Sequence, residues 1–140
     1  MNHPRAAIRE ALTDHLKNRT DAKDKVFGNR NKPLFDNLLP AILVYARSEN
    51  VLEERFASDG FGATKRELDI AIEAVISGDD NLDEALDKIA AQIESAFEDW
   101  EMPTRKADIL KLKSTEIDTS IEGSKIYGAI RLNYSIIYYK

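Results

Sequence analysis

Ile126-Tyr127-Gly128-Ala129-Ile130-Arg131-Leu132-Asn133-Tyr134-Ser135-Ile136-Ile137-Tyr138-Tyr139 is the stretch that decides the fold. Its residues alternate with period 2. The even positions (Ile126, Gly128, Ile130, Leu132, Tyr134, Ile136, Tyr138) point one way and the odd positions, Arg131 and Asn133 among them, the other. Successive side chains of a strand face opposite sides of a sheet, so the even set is expected to cover a core and the odd set to be half wet. Only Lys140 follows. A strand this long needs a partner for its backbone donors and acceptors, and its place at the end of the chain leads us to expect a sheet edge that meets another chain.

Upstream, Leu68, Ile70, Ile72, Ala74 and Ile76 alternate with Glu67, Asp69, Ala71, Glu73 and Val75, predicting a strand with one polar face. Ala41–Ala46 (AILVYA) reads as a short buried strand and Ile109–Ile117 as another. Residues 119–125, with Gly123, read as a turn. Between the first two strands, residues 47–65 show no clear period and contain Gly60 and Gly62, predicting a long flexible loop that extends the first strand only partway.

Two helices complete the order. Ile8, Leu12 and Leu16 recur every four residues over 5–17, with Pro4 suited to the first turn. Leu82, Leu86, Ile89, Ile93 and Phe97 form a second stripe, which Asn81 can cap with Glu84 three residues on. Residues 18–40 look irregular. Helix, two strands, helix, two strands predicts an α+β domain spanning 1–140: a mixed, mostly antiparallel sheet of about four main strands with two helices on one face.

Composition narrows the functions. The chain has 140 residues, a net charge of −5 and no cysteine, so disulfides, a thiolate nucleophile and cysteine-ligated zinc are excluded. No apolar run nears the roughly 20 residues that cross a bilayer, and the start lacks a signal-peptide stretch, so synthesis in the cytoplasm is expected. The charge is uneven: residues 79–101 hold nine acids against Lys88, while residues 1–33 are rich in lysine and arginine. His3 and His15, twelve apart, make no metal spacing and read as ordinary surface residues. Asp79, Asp80, Asp83 and Glu84 could supply oxygen ligands, but acids equally suit a helix N-terminus, and their spacing is not that of the calcium loop. No nucleophile elbow, phosphate loop or nucleic-acid motif is present.

Phe35-Asp36-Asn37-Leu38-Leu39-Pro40-Ala41-Ile42-Leu43-Val44-Tyr45 resembles the "F-D … P-A … V-Y" segment of the phage tail terminators, the lambda-type minor tail protein U group. Arg5-Ala6-Ala7, Glu67-Leu68-Asp69-Ile70-Ala71-Ile72-Glu73 and the close Leu132-Asn133-Tyr134-Ser135-Ile136-Ile137-Tyr138-Tyr139 fall in the matching order. Residues 98–125, with Trp100 and Pro103, depart from the pattern. The resemblance implies a hexameric ring on the finished tail tube, at the head–tail junction of the virion. Such a ring stops tube polymerisation, meets the head's connector and lets DNA pass as cargo. It implies no catalysis, no cofactor and no metal.

Under this resemblance the candidate subunit or partner contacts are Arg47, Leu52, Arg55, Phe56, Phe61, Lys65, Arg66 and Arg131. The cations Arg47, Arg55, Lys65 and Arg66 are expected to face the acids of 79–101 on a neighbour. Three alternatives stand beside it. These are another head–tail joining protein of similar fold, a small metal-dependent enzyme using Asp79, Asp80 and Asp83, and a monomeric module that binds peptides along the last strand's edge.

Overall fold

The computed structural model describes residues 3–29, 39–56, 62–78, 81–103, 107, 110–123 and 125–140. The elements run α1 (Pro4–Leu16), β1 (Val26–Phe27), β2 (Ala41–Phe56), β3 (Gly62–Gly78), α2 (Leu82–Ala96), β4 (Lys111–Glu122) and β5 (Lys125–Tyr139). They form a five-stranded mixed sheet in the order β1-β2-β3-β5-β4, in which only β1 and β2 are parallel. The α+β class is as expected. The additional strand is β1, two residues within the stretch read as irregular, too short to carry a period.

Two expectations are corrected. The terminal strand β5 is not an edge: it lies between β3 and β4, paired along both sides. The edge is β4. Lys140 also pairs with Thr64 through both backbone groups, at 2.7 and 3.0 Å. The segment 47–65 is strand over 47–56 and 62–65, and two β-bulges explain why it has no period. In the β2–β3 ladder the register skips between Ala46 and Ser48 and again between Val51 and Glu53, so Arg47 and Leu52 are the extra, unpaired residues. Each bulge inverts the alternation. Ile42, Val44 and Ala46 stand opposite the inward Ala74, Ile72 and Ile70, but beyond the first bulge it is Glu49 that stands opposite inward Leu68.

Both helices cover one face of the sheet and touch each other. Ile8, Leu12 and Leu16 of α1 join Leu82, Leu86, Ile89 and Ile93 of α2 in the core. Beneath them lie Ile70 and Ile72 of β3 and Ile130, Leu132, Ile136 and Tyr138 of β5. The even positions of β5 are buried from Gly128 to Tyr138, as the alternation requires. Gly128 occupies an inward position because α2 comes close there: a Cβ would stand 3.0 Å from a methyl of Leu82 and 3.0 Å from one of Leu86. Gly123 turns the chain from β4 to β5 at φ 65°, a left-handed conformation suited to glycine.

The helix ends follow the expected chemistry in part. Pro4 sits in the first turn of α1. Asn81 caps α2 by position without a side-chain hydrogen bond, while Asp83 and Glu84 lie in its first turn. Neither histidine is an ordinary surface residue. The His3 Nδ1 accepts the Arg5 backbone N–H at 3.1 Å and caps α1. His15 stacks on Trp100 at 4.7 Å and lies 5.4 Å from Phe97, with its Nε2 2.6 Å from the Ala96 carbonyl oxygen. That aromatic group fastens α1 to the end of α2, which gives Trp100 a packing role.

Candidate functional site

The sheet leaves one face without a helix among the described residues. A polar network covers its centre, and the register places its members in rows: Glu73 beside Arg131 beside Glu116, and Ala71 beside Asn133 beside Ser114. Arg131 Nη2 donates to Glu116 Oε2 at 2.5 Å and its Nη1 lies 4.0 Å from Glu73. Asn133 Nδ2 donates to Glu116 at 2.8 Å and to Ser114 at 3.0 Å. Arg47, the extra residue of the first bulge, donates to the Asn133 amide oxygen at 3.1 Å and lies 3.8 Å from Glu116. Asn133 and Arg131 hold the Glu116 carboxyl below its ordinary range. Arg47, Ser114, Glu116 and Asn133, with Ser48, Asp69 and Lys113, line a shallow cleft of about 390 Å³.

A second polar cluster sits under the start of α1. Glu49, carried inward by the first bulge, takes Arg5 at 2.8 Å and Arg66 at 3.2 Å, and it accepts the Tyr138 hydroxyl. Burial raises the Glu49 carboxyl, but Tyr138, Arg5 and Arg66 outweigh it and leave the group below its ordinary range. Burial, then Arg5 and Lys140, lower His3. Burial, then the bond to Glu49, raises Tyr138. The cluster joins α1, β2, β3 and β5 at the base of the β2–β3 ribbon, which runs past the end of β5 at Tyr139.

The large apolar side chains exposed among the described residues fall in two places. Val51 and Leu52, 58% and 49% exposed, lie on the ribbon. Leu112, Ile117 and Ile121 lie on the edge strand β4, with Ile117 57% and Ile121 74% exposed. These three stand opposite Tyr134, Ile130 and Ile126 of β5, so they continue the core face of the sheet beyond the reach of α2. Between β4 and the start of α2 lies a groove of about 470 Å³ lined by Leu82, Asp83, Glu84, Thr119, Ile121 and Ile126.

The chain as a whole matches the family model described as phage minor tail protein U, over residues 3–138. The chain belongs to that family. No curated protein matches it. As a minor tail protein U it is a structural component of a phage tail, a virion protein that works among other tail and head components.

In this minor tail protein the sequence-predicted contacts do not form one patch. Arg47 and Arg131 belong to the open-face network, and Arg66 is held by Glu49. Within the subunit Arg47 lies 3.8 Å from Glu116 and Arg66 3.2 Å from Glu49. Leu52 is the exposed bulge residue. Lys65 stands opposite Glu53 and Tyr139; Arg55 and Phe56 close β2 opposite Ala63 and Gly62. Phe61 lies outside the described residues, as do Asp79 and Asp80 of the metal alternative. The peptide-module alternative loses its basis, because the edge it needed is occupied by β4.

Sequence reasoning missed Leu112, Ile117 and Ile121 as surface groups. Their alternation with Glu116, Asp118 and Ser120 was legible, but it reads as the inward face of an ordinary strand. Glu49 was missed too, since only the bulge turns it inward.

Proposed function

We propose that this protein is a tail terminator. Its subunits close into a ring, hexameric as the family resemblance implies, on the end of the completed tail tube. There the ring stops further tube polymerisation, presents a surface to the head's connector and leaves a channel for DNA. The protein is made in the host cytoplasm and ends at the head–tail junction. The role is one of assembly, with no catalysis and no cofactor.

The observation that supports this reading is the pair of unlike apolar patches, on the ribbon and on β4, in a member of a tail-protein family. A ring needs heterologous contacts, in which two different surfaces of each subunit meet. Leu52, exposed on the ribbon, supplies one candidate contact, and Arg55, Phe56, Phe61 and Lys65 are the further candidates that the sequence offers. The exposed acids Asp83, Glu84 and Asp87 of α2 suit a channel wall that passing DNA does not adhere to.

The test adds the purified protein to polymerising tail-tube subunits. Arrested growth and ring-capped tubes in negative stain are expected. Tubes that keep growing while the protein binds connector would assign it to head–tail joining. A strict monomer at high concentration that forms no ring on added tubes would overturn the ring itself.

A further inference from the structure

We propose that the core-facing side of β4 is a docking site for a partner protein's amphipathic helix, apolar on one face and rich in lysine or arginine along one flank. The inference goes beyond the ring reading and stands without it.

The geometry of the sheet sets the shape of the occupant. α1 lies on β1 and β2, and α2 lies on β3 and β5. The order β3-β5-β4 therefore puts β4 one and a half strand spacings, about 7 Å, to the side of α2. Packed helices stand about 8–10 Å apart, so a further helix beside α2 falls on β4. The floor beneath it is Leu112, Thr115, Ile117, Thr119 and Ile121, all on the core-facing side and all exposed. From Leu112, opposite Tyr134, to Ile121, opposite Ile126, this floor runs about 27 Å, the length of about 18 helical residues.

Charge sets its composition. Asp83, Asp87 and Glu94 of α2 are exposed and follow one another at intervals of four and seven residues, which puts them on one side of the helix. That side faces β4. Asp83 lines the groove with Thr119, Ile121 and Ile126. Tyr134, opposite Leu112, has its phenol raised by burial and then by the charge of Glu94. Lys88, the one cation of α2, lies on the other side, 3.4 Å from Asp21. Asp83, Asp87 and Glu94 form no ion pair among the described residues.

An apolar floor with an acidic wall selects a helix whose apolar face turns down and whose basic flank turns toward α2. A second copy added by continuing the sheet at β4 would set two acidic walls toward each other over a shared floor, so charge disfavours that occupant. The seated helix covers Asp83 and Asp87. Of the α2 acids given above to a channel wall, Glu84 alone then stays outermost.

The probe is a synthetic helix of about 18 residues with leucines on one face and lysines along one flank, compared with the same peptide carrying glutamates for the lysines. Both are titrated into the full chain and followed by fluorescence anisotropy and backbone amide NMR. The lysine peptide should bind about tenfold or more tightly than the glutamate peptide, and weaken as salt rises. It should shift the amide signals of Ile117, Thr119 and Ile121 together with those of Asp83 and Asp87. Asp83→Asn with Asp87→Asn, and separately Ile117→Ser with Ile121→Ser, should each weaken binding about tenfold. Circular dichroism checks that each variant is folded. Equal affinity for the two peptides, shifts confined to other surfaces, or unchanged binding by either variant would overturn the site. So would a dimer of the protein alone that Ile117→Ser with Ile121→Ser dissociates, since a second copy then covers the floor. Each readout is taken without tail tubes, so its failure leaves the ring reading untouched.

Discussion

The hydroxyl of Tyr138 on β5 donates to the carboxylate of Glu49 on β2, reaching across β3, which separates the two strands. Arg66 of β3 joins them from between, and Arg5 closes the group from α1. Four elements are thus tied at the point where the β2–β3 ribbon leaves the sheet.

Replacing Tyr138 by Phe keeps the fully buried ring and removes only the donor. Glu49 keeps its two arginines, so the loss is expected near that of one hydrogen bond to a charged acceptor, about 1–2 kcal/mol. Urea unfolding measures it as a lower midpoint at an unchanged slope.

Acid should destabilise the protein in two stages. Glu49 is lowered in the folded state from 4.5, so its contribution is present above the unfolded value and lost as pH falls through the folded one. His3 is lowered from 6.5, so as pH falls through 6.5 the unfolded chain takes up the proton first and stability declines there as well. Thermal unfolding from pH 7.5 to 3 should show both declines. Glu49→Gln should flatten the lower one and leave the upper, and an unchanged lower decline would refute the assignment to Glu49.

At Gly128 a methyl group would meet Leu82 and Leu86 of α2 at 3.0 Å. Both obstacles are ends of flexible side chains, so Gly128→Ala should fold with α2 shifted slightly outward, at a cost of about 1–2 kcal/mol. Gly128→Val should cost more. Denaturant midpoints of the two variants check the order.

Ile117 and Ile121 stand on the edge strand with little of their surface covered. Changing both to Thr keeps β-branching and should alter stability by no more than about 0.5 kcal/mol. Ile70→Thr, at a fully buried position on β3, two strands in from β4, should by contrast cost about 2 kcal/mol or more, because it buries a hydroxyl. Parallel thermal melts separate the edge from the core.

Most of the elements were legible because their side chains repeat with the period of their own backbone. Ile8, Leu12 and Leu16 mark α1; the alternations through Ile70 and Ile72 and through Ile130 and Leu132 mark β3 and β5. Where a residue breaks the period, the reading stopped. Arg47 and Leu52 interrupt β2 as bulges, and a bulge is recognised by the two-against-one count with its partner strand, which local sequence does not contain. The contacts of Arg47 with Glu116 and of Arg66 with Glu49 were hidden for the same reason: they join residues on strands brought together only by the ladder.

The sequence by itself determined which strand faces are apolar, which segments are helices, and the family to which the order of segments points. The tertiary structure decided where each strand lies. β5 has the pattern of a half-buried strand whether it sits at an edge or inside, because alternation reports the two faces of a sheet and not its two sides. Pairing on both sides enclosed it and left β4 at the edge, with Ile117 and Ile121 beyond the cover of α2.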